Sequence, residues 1–99
     1  MAKPVRFHPE AEQEYLAALS WYRERSLSAA TNLENAVNKA LESIAKAPQR
    51  WPIYFEKFRN YSLHQFLFSV IYHELASETL ILAVAHGRRR PGYWRQRTH

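Results

Sequence analysis

At 99 residues the chain can bury one hydrophobic core and not two. Its 46% hydrophobic and 14% aromatic content excludes a disordered chain, and the absence of cysteine excludes disulfides and thiolate zinc sites. The formal charge of +5 is lopsided: no acid follows Glu78, whereas five arginines do, which points to an acidic protein or a nucleic acid at the C-terminal end.

The chain opens with a short extended piece, Pro4 to His8, in which Val5 and Phe7 alternate with Arg6 and His8. Pro9 suits the first turn of a helix, where its missing N–H leaves nothing unpaired. Glu10, Glu12 and Glu14 favour the positive end of that helix's dipole, and Arg23 and Arg25 the negative end. Ala11, Tyr15, Ala18, Leu19 and Tyr22 recur at helical spacing and predict one buried stripe. A second helix is predicted from a cap at Ser26 or Ser28 to about Ala47, with Leu33, Val37, Ala40, Leu41 and Ile44 as its stripe and Pro48 as its stop. The short link between the two predicts an antiparallel helical hairpin.

The stretch APQRWPIYFEKF carries two prolines and little periodicity, and reads as a connecting loop with aromatic anchors. Three strands are predicted after it, within RNYSL, FLFSVIYHE and TLILAVA, the last apolar at almost every position as a central strand should be. LASE turns between the last two. The order β-α-α-β-β-β predicts an α+β fold, with the helix hairpin packed on a small, mostly antiparallel sheet. No run approaches a membrane span, and only two glycines occur, too few for a phosphate-cradling loop. We therefore expect one cytoplasmic domain over residues 1–99, without membrane contact, metal or cofactor.

The sharpest functional signal is Arg88-Arg89-Arg90, thrown together where the last strand ends at His86-Gly87. Adjacent like charges repel, so an anionic partner is a better reason for them than stability. Arginine also suits bidentate carboxylate or phosphate contacts. His86 and His73 are the titratable groups expected nearest to them, and Tyr93 and Trp94 can either stack on a partner or fold back onto the core. Trp21 lies off its helix's main stripe and is a candidate for a partner groove. No pair of groups forms a matched general acid and base.

In this order, VRFHPEAEQEYLAALSWY, RWP, RNYSLHQFLFSVIYHE and ILAVAHGRRRPGYW resemble the RelE/ParE superfamily of type II toxin–antitoxin toxins, closest to its ParE-like, plasmid-stabilisation branch. The resemblance implies two N-terminal helices on a small antiparallel sheet and a cognate antitoxin that neutralises the toxin. Operator DNA would be met only through that antitoxin. It also implies one of two targets for the free, growth-inhibiting toxin: DNA gyrase for ParE-like members, or mRNA cleaved on the ribosome for RelE-like ones. The nuclease pattern is incomplete here. Its middle-strand arginine falls at Ser69, its later arginine at Arg88, and its C-terminal tyrosine at or beside Trp94, with Tyr93 adjacent; Lys57 and Arg59 are loose counterparts of its other basic residues. Were the chain a nuclease, Arg88, His86 and Tyr93 would be its catalytic residues. In either case Arg59, Arg88, Arg89, Arg90, Trp94 and Trp21 are the residues expected to bind the target or the antitoxin.

Overall fold

Three residues, Val5–Phe7, form β1 before His8 turns the chain into α1, Pro9–Arg25, in the computed structural model, which describes residues 3–97. His8 caps that helix: its Nδ1 accepts the Glu10 N–H at 3.1 Å. A single residue then does two jobs. Ser26 is extended (φ −163°), its N–H donates to the Tyr22 carbonyl and so closes α1, and its Oγ accepts the Ala29 N–H at 3.2 Å and so starts α2, Leu27–Lys46. Ser26→Ala is expected to cost about 1 kcal/mol in a denaturant titration, since it removes an N-cap from the hinge of the hairpin. No helix among the described residues is long and apolar enough to cross a membrane.

The sheet has five strands in the order β1-β5-β4-β3-β2, with β2 at Ile53–Phe55, β3 at Phe58–Leu63, β4 at Phe68–Glu74 and β5 at Thr79–His86. β5 pairs with β1 in parallel, and all other neighbours are antiparallel. The α+β arrangement and the three long strands match the sequence-based expectation; β2 does not. The segment expected to be a loop contributes an edge strand, joined to β3 by the two-residue turn Glu56-Lys57. Glu56 takes φ 51°, the left-handed region that Gly or Asn usually occupies, so no turn signal marks the hairpin in the sequence.

Both faces of the sheet are covered, by different things. The helices cover one: Ala11, Ala18 and Leu19 of α1 and Leu33, Val37, Ala40 and Ile44 of α2 pack on Leu63, Val70, Tyr72 and Ile81. Leu41, expected within the α2 stripe, lies at its margin and is only half buried. On the other face, Phe58, Ile71, Leu80, Leu82, Ala83 and Ala85 are closed off by Trp94 from the C-terminal segment. That second apolar face explains why almost every residue of β5 is buried.

Candidate functional site

The chain leaves β5 through a tightly bonded turn. The Gly87 N–H donates to the Leu67 carbonyl at 2.6 Å, the Arg88 N–H to His86 Nδ1 at 3.1 Å, and the Arg89 N–H to the His86 carbonyl at 2.9 Å. Arg88, Arg89 and Arg90 stand exposed on this turn. The ion pairs among the described residues belong to Lys3, Arg6 and Arg97, and none engages the three arginines. The three arginines thus form an exposed charged cluster with no ion-pair partner among the described residues.

Pro91-Gly92 then reverses the chain. The Tyr93 N–H donates to the Arg90 carbonyl at 3.3 Å, and Gly92 has φ 80°, the pattern of a type II turn with Pro and Gly at its two central positions. A Cβ on Gly92 would meet the Phe55 ring and the Arg95 side chain only at 3.8 Å, so the positive φ rather than space calls for glycine there. The reversal sends two adjacent aromatics to opposite fates. Trp94 drops under the sheet and is 1% exposed, edge-on to Phe55 and Phe58. Its expected role as a binding residue is therefore corrected: the indole belongs to the core and has no free face for a partner.

Tyr93 swings to α1 instead. Its hydroxyl donates to Glu14 Oε2 at 2.7 Å, and Arg97 grips the same carboxylate through Nη1 and Nη2, at 3.0 Å each. Glu14 Oε1 also accepts the Val84 N–H at 3.0 Å, and Arg97 Nη1 donates to the Leu82 carbonyl at 3.0 Å. These groups lie on β5 beyond Ile81, where β1 has ended, next to the irregular register opposite Ile71 and Tyr72. A carboxylate and a guanidinium thus take the place of a neighbouring strand, satisfying backbone groups on an otherwise open edge. The Arg89 guanidinium lies 3.9 Å from the Tyr93 ring centroid, so this network also sets the position of one arginine of the cluster.

Burial, then the hydrogen bond to Glu14, then its charge raise the Tyr93 pKa well above the usual phenol value of 10. Burial raises Tyr72 to about 12, its hydroxyl donating to the Pro48 carbonyl. Both shifts are upward, so the stability they carry is fully present below pH 10 and is lost as pH rises from 10 through the folded values. Absorbance at 295 nm in a pH titration is expected to show these phenols ionising late, with unfolding following. Tyr93→Phe should remove one late phenol from the titration.

Other expected site residues are placed apart. Arg59 Nη1 donates to the carbonyls of Trp51 at 2.7 Å and Gln49 at 3.3 Å, holding the α2–β2 connection. It faces Tyr72 in the register, towards the opposite end of β4 from the strand's His86 partner, Phe68, and so serves as a loop anchor apart from the arginine turn. His73 pairs with Leu80, also remote from the cluster; burial and then Lys57 lower its pKa. His86 and Trp21 are brought together. With Ala17, Ala18, Tyr22 and Phe68 they line a largely apolar cavity of ≈ 360 Å³ between α1 and the sheet, with Trp21 51% exposed and stacked on Arg25 at 3.8 Å.

A smaller recess of ≈ 80 Å³ lies on the opposite side of the arginine turn, lined by Asn60, Ser69, Arg89 and Arg90 among others. Glu14 and Arg97 were missed by sequence reasoning. Glu14 has only a helix-dipole signature locally, and its partner Tyr93 is 79 residues away.

Comparison with known proteins agrees with this geometry. A family model described as ParE toxin of type II toxin-antitoxin system, parDE, matches residues 5–91. A search of curated protein sequences returns no match. Among solved structures, one titled "Chromosomal ParDE TA system from P. aeruginosa" superposes with a TM-score of 0.61 at 18% identity, covering 86% of this chain and 96% of that one. At that identity the likeness speaks for the fold. With the family match over most of its length, and a helix hairpin on a five-stranded sheet, the chain belongs to the ParE toxin family and is the toxin component of a type II toxin–antitoxin module, with an antitoxin as its partner.

Proposed function

We propose that this toxin arrests growth by binding and inhibiting DNA gyrase, with the Arg88–Arg90 turn as its contact surface. The observation that carries the reading is the exposed arginine cluster without an internal carboxylate partner, held on a backbone turn of defined geometry. Ser69 supplies no charge at the strand position where the nuclease branch has arginine. The Tyr93 hydroxyl is bound to Glu14, with its pKa raised, and makes a poor proton donor for RNA cleavage. Both features favour a protein-binding inhibitor over a ribosome-dependent nuclease. The antitoxin would neutralise it by covering the apolar cavity beside Trp21 together with the basic turn.

The test is induced expression of the full chain, following plasmid supercoiling and protein synthesis in parallel, with purified toxin added to gyrase in vitro. Loss of supercoiling activity before any fall in translation is expected. Cleaved mRNA with supercoiling intact would replace this reading with the nuclease one.

A further inference from the structure

Glu14 does more than the fold asks of it. Mending the open edge of β5 needs an acceptor for the Val84 N–H and a donor for the Leu82 carbonyl, and Glu14 Oε1 and Arg97 Nη1 supply these at 3.0 Å each. The second carboxylate oxygen is surplus to that task. It takes the Tyr93 hydroxyl at 2.7 Å and Arg97 Nη2 at 3.0 Å. The helix dipole does not account for an acid at this place, because its benefit falls off within the first turn and Glu14 lies past Glu10 and Glu12, the acids of that turn. A carboxylate brought to 15% side-chain exposure also carries a desolvation cost, which its donors have to offset.

The surplus contact leads to the arginine turn. The Tyr93 ring, fixed through its hydroxyl, lies 3.9 Å from the Arg89 guanidinium, while the Arg89 N–H is bonded to the His86 carbonyl at 2.9 Å. Arg89 is thus held at both ends. Among the described residues no aromatic ring lies under Arg88 or Arg90. Arg97 lies 5.0 Å from the same ring centroid, so two cations share one ring, and the Glu14 carboxylate neutralises the one that would otherwise repel Arg89. A carboxamide cannot replace it. Glutamine at position 14 keeps one accepting oxygen and turns its amide N–H groups towards donors, at either Val84 or Tyr93.

An arginine ordered before it meets its target avoids part of the entropy lost on binding. We propose that Glu14 is a positioning residue for toxicity: through Oε2 and Tyr93 it holds Arg89 in the conformation that meets the target. The proposal rests on the reading of the arginine turn as the working surface.

The test combines two measurements on the full chain. In nitrogen relaxation and ring-current shifts of the isotope-labelled toxin, the Arg89 Nε–H should become mobile and lose its upfield shift in Glu14→Gln, while the Arg90 Nε–H stays unchanged. The amount of soluble toxin needed for half-maximal growth arrest should rise about three- to tenfold in the same variant, the scale of ordering one long side chain. Melting temperatures are recorded alongside, and amounts are corrected for the folded fraction, so that lost stability is not counted as lost activity. Tyr93→Phe, which keeps the ring and loses the bond to Oε2, carries the same comparison where Glu14→Gln fails to fold. A double variant separates positioning from bulk structure. Once Arg89→Gln has removed the guanidinium, adding Glu14→Gln should cost little more, since both act on one group. The inference is overturned if Arg89 stays ordered in Glu14→Gln, or if the two losses multiply. Full toxicity of Arg89→Gln, with Arg89 loosened by Glu14→Gln, removes the turn as working surface and leaves the positioning of Arg89 standing.

Discussion

Trp94→Ala is expected to remove about 3–5 kcal/mol of stability, the range for deleting a large buried aromatic. The indole is 1% exposed and is the largest fully buried side chain, closing the apolar face formed by Phe58, Ile71, Leu80, Leu82, Ala83 and Ala85. No helix among the described residues lies on that face to collapse into the space. A domain of this size has roughly 5–15 kcal/mol in total, so the variant should sit close to its unfolding threshold. The loss should also be felt beyond the core, because the arginine turn is tethered on one side by His86 and Leu67 and on the other by Tyr93 and Trp94. Hydrogen exchange at residues 87–93 should therefore accelerate more than exchange in α2. A loss below about 1 kcal/mol in urea would mean that the C-terminal segment does not close the sheet in solution.

Changing Arg88, Arg89 and Arg90 together to glutamine should abolish growth inhibition while leaving the fold intact. The three side chains are exposed and make no internal ion pair among the described residues, so their removal should change stability by less than about 1 kcal/mol, with relief of mutual repulsion as an added small gain. Single changes should separate their roles. Arg88 occupies the position that the family resemblance links to activity. Arg89 and Arg90, however, line the recess beside Ser69, and Arg89 alone is stacked on Tyr93. Arg89→Gln is accordingly expected to lose the most, scored as colony survival on induction with soluble toxin levels matched by blot. Full toxicity of the folded triple variant would reduce the cluster to a solvated strand end.

Local pattern determined much of this protein before any tertiary contact is considered. Helical periodicity placed Leu33, Val37, Ala40, Leu41 and Ile44 on one stripe, and all of them but the half-buried Leu41 are 0% exposed. Pro9, Ser26 and Pro48 punctuated the helices because their backbone chemistry acts within a turn or two. The apolar run of β5 and the charge break after it were also visible, and so was the family resemblance that the whole order of elements carries.

What the tertiary structure alone decided depends on partners distant in sequence. Tyr93 and Trp94 look equivalent as neighbours; the turn at Pro91-Gly92 and the positions of Glu14 and Phe58 send one to an ion-pair network and the other into the core. Arg59 reads in sequence only as a surface cation, and the carbonyls of Gln49 and Trp51 against it give it an anchoring role that local pattern does not show. β2 is three residues long with an unmarked turn, and it becomes a strand only because β3 offers it a ladder. Side-chain periodicity reports which face of an element is buried. Only the packed chain reports what covers that face, because the pairing energy belongs to two segments at once.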